Sequence, residues 1–113
     1  MLRRTLVRSG YAAHEAGNGR EALAILKQVP IDLVVTDIIM PDMEGIELIL
    51  SLHKHRPALR VIAMSAGGRL HPHGYLTLAK SSGATRTIEK PFEIGDFLAL
   101  IREVLALPQP AIV

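Results

Sequence analysis

The stretch Asp32-Leu33-Val34-Val35-Thr36-Asp37-Ile38-Ile39-Met40-Pro41-Asp42-Met43-Glu44-Gly45 decides the fold. Leu33-Val34-Val35 is short, apolar and rich in β-branched residues, with Pro30 just before it. It reads as a strand buried on both faces, as in the middle of a parallel sheet. Such a strand ends where the carboxyl edge of the sheet opens to solvent, and Asp37 stands at that end. In open α/β sheets, ligands and chemistry collect at that edge. Met40-Pro41 and Gly45 then make a loop leading into the next helix.

Working outward, helical and strand patterns alternate. Leu2, Leu6 and Val7 have helical spacing, and Gly10 supplies a stop. By composition alone Tyr11 to Ala16 reads as a loop, or at most a weak strand. Asn18 with Glu21 three residues on forms a capping box, and Ala22, Ile25, Leu26 and Val29 give that helix an apolar face before Pro30 ends it. Downstream of Asp37, Ile46, Ile49, Leu50 and Leu52 line a helix that stops before Pro57. Arg60 to Ser65 is the next strand, and Gly67 to Tyr75 is an irregular loop containing Pro72. A helix around Tyr75 to Lys80 presents Leu76 and Ala79 to the sheet, and Thr85 to Ile88 is the last strand. Ile94, Phe97, Leu98, Ile101 and Leu105 form the stripe of the final helix, and residues 108–113 read as a tail or linker stub after a domain of residues 1–107. The alternating order implies parallel strands, right-handed crossovers and helices on both faces.

In a parallel sheet Asp37, Ser65 and Lys90 all fall at strand ends. They are separated by 28 and 25 residues (65 − 37 and 90 − 65), each the length of one strand-helix-strand unit. A carboxylate nucleophile, a hydroxyl and an ammonium at one edge suit transfer of a phosphoryl group onto the acid. Asp-Ile-Ile-Met-Pro-Asp-Met-Glu-Gly resembles the phosphoacceptor loop of response-regulator receiver domains. Ala63-Met64-Ser65-Ala66, and Gly83-Ala84 followed by Lys90-Pro91-Phe92, resemble the family's two later signatures in the same order, and the match covers residues 2–106.

The resemblance implies a flavodoxin-like, doubly wound α/β fold of strand order 2-1-3-4-5. It implies Asp37 as phosphoacceptor, Ser65 and Lys90 as phosphate-contacting switch residues, and a cis bond before Pro91 that aims the ammonium inward. It implies Mg2+ as cofactor, with Asp37 and the backbone carbonyl of Ile39 as carried-over ligands, whereas Asp42 and Glu44 occupy variable loop positions. A histidine kinase or phosphotransfer protein is the implied donor, and an output protein reads the altered face.

Two departures stand out. Receiver domains open with a strand ending in two adjacent acids that hold the metal, but Met1 already reads as part of the first helix and no acidic pair precedes it. The expectation is a sheet without strand 1, either because the natural chain starts upstream or because this is a short receiver that binds magnesium poorly. Backbone edges beside such a gap invite pairing with a second copy, so a homodimer is among the expected states. Thr87 stands where the family usually has its switch aromatic, which leaves the read-out without a ring. Ile39 and Gly67 offer no side chain to position a hydrolytic water, so self-dephosphorylation is expected to be slow.

Composition narrows the classes. At 113 residues, with 49% hydrophobic and 21% charged residues, the chain suits one globular core. It has no cysteine, which excludes thiol chemistry and disulfides, and no apolar run approaches the roughly 18 residues of a membrane span. The expected compartment is the cytoplasm. Arg3, Arg4 and Arg8 read as a solvated helix face rather than a nucleic-acid contact. His53 and His55 on one helix face different ways, so a zinc site with His71 and His73 is not expected. The leading function is a phosphorylatable switch and not an enzyme in the ordinary sense. The alternative is a pseudo-receiver, an interaction module without metal-dependent phosphorylation. A hydrolase using Asp37 fares worst, having no second acid placed for general-acid work.

Overall fold

The first thirty residues hold two helices, α1 (Leu2–Arg8) and α2 (Gly19–Gln28), in a computed structural model that describes residues 2–37, 44–66 and 83–107, with backbone alone at 44–46, 65 and 66. They form one compact unit, Met1–Pro30, and Ile31–Val113 forms a second. Gly10 ends α1 with φ +95°. Its N–H donates to the Val7 carbonyl and that of Tyr11 to the Leu6 carbonyl. Those two bonds make a Schellman motif, whose left-handed residue favours glycine. At α2, Asn18 Oδ1 accepts from the Glu21 N–H at 2.9 Å. The Glu21 carboxylate reaches back to the Gly17 N–H, one residue before the cap. The capping box is therefore present, with its return bond shifted by one residue. Leu26 is buried, and Ala22, Ile25 and Val29 are half-buried. Arg3, Arg4 and Arg8 are exposed.

Tyr11–Ala16 forms no strand. A strand exists only by its ladder, and the first unit holds two helices and no strand to pair with among its described residues.

In the second unit, β1 (Leu33–Asp37), β2 (Arg60–Ala66) and β3 (Arg86–Lys90) form a parallel sheet in the order β1-β2-β3. This is the 3-4-5 part of the expected 2-1-3-4-5 order. Leu33 pairs with Arg60 and Asp37 with Met64, while Ile62 pairs with Arg86 and Ala66 with Lys90. In β2, Val61, Ile62, Ala63 and Met64 are all buried. Alternate residues face opposite sides, so both faces of β2 are covered. β1 departs from expectation: Leu33, Val34 and Val35 are only half-buried. It lies at the end of the three-stranded ladder, and the strand buried on both faces is β2 instead.

The described helices of this unit are α3 (Glu44–His55) and α4 (Ile94–Ala106). Ile49 and Leu52 are buried in α3 as expected, but Leu50 is 51% exposed and Leu48 takes its place. One position along a helix is a rotation of about 100°. The apolar run Ile46–Leu52 leaves that rotation open, and packing settles it. In α4, Phe97, Ile101 and Val104 are buried, Leu98 and Leu105 are half-buried, and Ile94 is 39% exposed. Each fully buried side chain of this size contributes about 1.5–3 kcal/mol. The expected helix around Tyr75–Lys80, the loop Gly67–Tyr75 and the tail 108–113 lie outside the described residues.

Three contacts set the amino edge. Thr85 bonds Val61 twice: its N–H donates to the Val61 carbonyl at 2.8 Å and its Oγ1 accepts from the Val61 N–H at 3.1 Å. Arg60 donates from Nη2 to the Leu107 carbonyl, joining the start of β2 to the end of α4. Gly83, at φ +119°, lies so close to His53 that an added Cβ would sit 2.6 Å from the His53 Cβ. The expected last strand, Thr85–Ile88, is found at Arg86–Lys90, with Thr85 tied to Val61 ahead of it.

Two stability changes follow, both readable in urea denaturation. Thr85→Val keeps the shape but leaves the buried Val61 N–H without its acceptor, and is expected to cost about 1–3 kcal/mol. Gly83→Ala combines a left-handed φ with a clash against a Cβ that cannot swing away, and is expected to cost at least about 1–3 kcal/mol. A fully stable Gly83→Ala protein would contradict that backbone assignment.

Candidate functional site

Asp37 is the last residue of β1 and Lys90 the last of β3. Asp37 pairs with Met64 and Lys90 with Ala66, two residues apart on β2, so both side chains belong to one face of the sheet. β1 and β3 flank β2, about 10 Å from each other. A lysine side chain can span that gap, and Lys90 Nζ donates to Asp37 Oδ2 at 2.8 Å. The side chains are 36% and 28% exposed, so the pair is open to an incoming group. Asp37 makes a further interaction besides this one. Behind it, the buried Thr36 donates from its hydroxyl to the Asp37 carbonyl at 3.3 Å.

The other expected residues are placed as follows. Ser65 is the next-to-last residue of β2, opposite Glu89 and between Met64 and Ala66, the partners of Asp37 and Lys90. Three adjacent strand ends therefore carry Asp37, Ser65 and Lys90 at one edge. Thr87 lies in mid-β3, paired with Ala63 and half-buried. The Lys90–Pro91 peptide is cis. Ile39, Asp42, Gly67, His71 and His73 lie outside the described residues. His53 and His55 are both exposed on α3. Among the described residues, no three His, Asp or Glu side chains gather as a metal site.

A half-buried carboxylate at a strand end, paired with an ammonium, has a counter-charge for an incoming anionic group already beside it. A model of the response regulator receiver domain matches residues 1–102. The chain belongs to that family. The receiver is 38% identical to the chemotaxis protein CheY of Thermotoga maritima, over 92% of this chain and 85% of that protein. It is 32% identical to the DNA-binding transcriptional regulator NtrC of a Bradyrhizobium species over 96% of this chain. That match covers 22% of NtrC, so the chain spans about a fifth of the length of such relatives. A CheY-like receiver domain structure from Methanospirillum hungatei superposes with a TM-score of 0.78 at 32% identity, covering 90% of this chain and 79% of the other. The fold is accordingly the α/β flavodoxin-like fold of receiver domains.

Sequence reading singled out the residues of this edge but missed what supports them. Thr36 gave no separate signal, because a β-branched residue inside a strand needs no special reason. Phe92 and Phe97 stack with ring centroids 5.3 Å apart. The spacing of an aromatic pair around a helix start was the signal available for them.

Half-exposed ion pairs contribute about 0–1 kcal/mol. Lys90→Ala is therefore expected to lower stability by less than about 1 kcal/mol in urea denaturation. A much larger loss would make Lys90 a structural residue first and a functional one second.

Proposed function

We propose that this receiver is a phosphorylatable switch in which Asp37 accepts a phosphoryl group from a histidine kinase or phosphotransfer protein. The observation that carries the reading is the 2.8 Å pair of Lys90 with Asp37 at the carboxyl edge. Family membership and the likeness to CheY and to the sporulation initiation phosphotransferase F of Bacillus subtilis support it. In the transfer, an Asp37 carboxylate oxygen attacks phosphorus, the bond from phosphorus to the donor breaks, and the donor leaves with its electron pair. The carboxylate becomes a neutral acyl group, and the negative charge moves out to the phosphoryl oxygens. The ammonium of Lys90 follows that charge, since its attraction falls with distance from it. By register Ser65 starts on the alternate face of the sheet, so the end of β2 turns for its hydroxyl to donate to a second phosphoryl oxygen, and that turn is the conformational step. With Thr87 at the aromatic position, the read-out of that step runs through a small hydroxyl residue. Partners in this reading are the phosphodonor and an output protein.

Receiver domains generally bind Mg2+ for phosphorylation. Mg2+ takes one or two carboxylates and completes its octahedron with water and phosphate. Among the described residues, Asp37 is the carboxylate at this edge bonded to Lys90, and no cluster of three His, Asp or Glu side chains forms there. A single protein carboxylate is the low end of what the ion uses; when bound it would be held by Asp37 and would offset charge on the phosphoryl oxygens. The same observation favours a second reading, a protein-interaction module with the receiver fold and no metal-dependent phosphorylation. No described helix is long and apolar enough to cross a membrane.

Intact mass after incubation with acetyl phosphate, with and without Mg2+, separates the readings. The expected outcome is a gain of one phosphoryl group that vanishes in Asp37→Asn. No gain in the unaltered chain under either condition overturns the switch and leaves the interaction module.

A further inference from the structure

Lys90 reaches Asp37 from the last position of β3, and the chain then enters α4 within four residues. Glu93 is the N-cap of α4, yet its side chain makes no capping hydrogen bond. Something else sets the angle of entry. Phe92 immediately precedes the cap, and Phe97 is the fourth helical residue. These are the two positions of a hydrophobic staple, the apolar contact that fixes how a chain enters a helix. The rings are 5.3 Å apart with planes inclined by 23°. Phe97 is fully buried, and its N–H donates to the Glu93 carbonyl at 3.0 Å. One end of the staple is thus anchored in the core, and the other lies two residues from the ammonium-bearing lysine.

A lysine side chain is flexible and its charge strongly hydrated. Its ammonium stays on one carboxylate only where the backbone beneath it is held. We propose that Phe92 is a positioning residue for Lys90: stapled to Phe97, it holds the turn between β3 and α4 so that the ammonium meets Asp37. Phe92 acts through Lys90 and takes no part in bond making. The proposal rests on the phosphotransfer reading for its kinetic test, whereas the Lys90–Asp37 pair it explains is present without it.

The test is a double-mutant cycle of Phe92→Ala and Lys90→Ala, read as the initial rate of phosphorylation by acetyl phosphate. Displacement of a reacting group by about 1 Å can cost up to about a hundredfold in rate. Phe92→Ala is expected to slow phosphorylation by roughly ten- to a hundredfold, and to cause no further loss when Lys90 is already alanine. Phe92→Tyr, which keeps the ring, is expected to restore the rate. Ile49→Val, which trims a buried side chain of α3, serves as a control for lost stability, and a similar slowing there would overturn the proposal. An equal loss from Phe92→Ala in both backgrounds would overturn it too. Should Phe92→Ala fail to fold, Phe92→Leu takes its place in the same cycle. The Lys90 ammonium signal in nitrogen-15 NMR supplies an arm independent of phosphorylation. Its loss in the Phe92 variant supports the staple even in a chain that takes no phosphoryl group, and an unchanged signal sinks it.

Discussion

Burial of β2 on both faces is the constraint from which the rest of the second unit follows. Val61, Ile62, Ala63 and Met64 are consecutive, and consecutive strand residues face opposite sides. All four can leave water only if both sides of the sheet are covered. Cover of that kind comes from crossover connections, and crossovers make neighbouring strands parallel. Parallel strands end together, so β1, β2 and β3 deliver Asp37, Ser65 and Lys90 to one edge. The site is thus a consequence of where the core lies, not an addition to it.

Precision at that edge depends on contacts at the other one. A slip of one residue in β3 would turn Lys90 to the opposite face, because side chains alternate with a period of two. Thr85 guards against the slip by bonding Val61 through both its main chain and its hydroxyl. Gly83 permits the approach of its segment to His53 that no other residue would allow. Arg60 ties the start of β2 to the Leu107 carbonyl at the end of α4. At the carboxyl edge, the stacking of Phe92 on Phe97 takes over the same task for the turn that follows Lys90. The ion pair itself adds little stability, being open to solvent. Its position is produced by the scaffold rather than by the strength of the pair.

What was legible in the chain is the local chemistry. Gly10 as a stop, Asn18 with Glu21 as a cap, and the strands around Val34, Ile62 and Ile88 could be read because neighbours in sequence cause them. The acid at the end of β1 and the lysine at the end of β3 were legible through spacing and motif. Leu50 was misread, and Val104 and Leu48 were overlooked, because an apolar run fixes that a helix is buried but not its rotation by one residue. Tyr11–Ala16 has at most a weak strand composition, and no described strand of its own unit pairs with it. β1 was read as central, whereas half-burial of Leu33, Val34 and Val35 places it at the ladder's end.

By itself, then, the sequence determined the described helices, the three strands that pair and the carboxylate, hydroxyl and ammonium residues near their ends, since each depends on residues a few positions apart. Only the tertiary structure decided that Lys90 touches Asp37, that Thr85 serves β2, that Arg60 holds α4 and that Phe92 rests on Phe97. Most of these partners lie far apart along the chain, up to 53 residues for the ion pair. Proximity of that kind is created by packing around β2 and leaves no periodic trace in the amino-acid order.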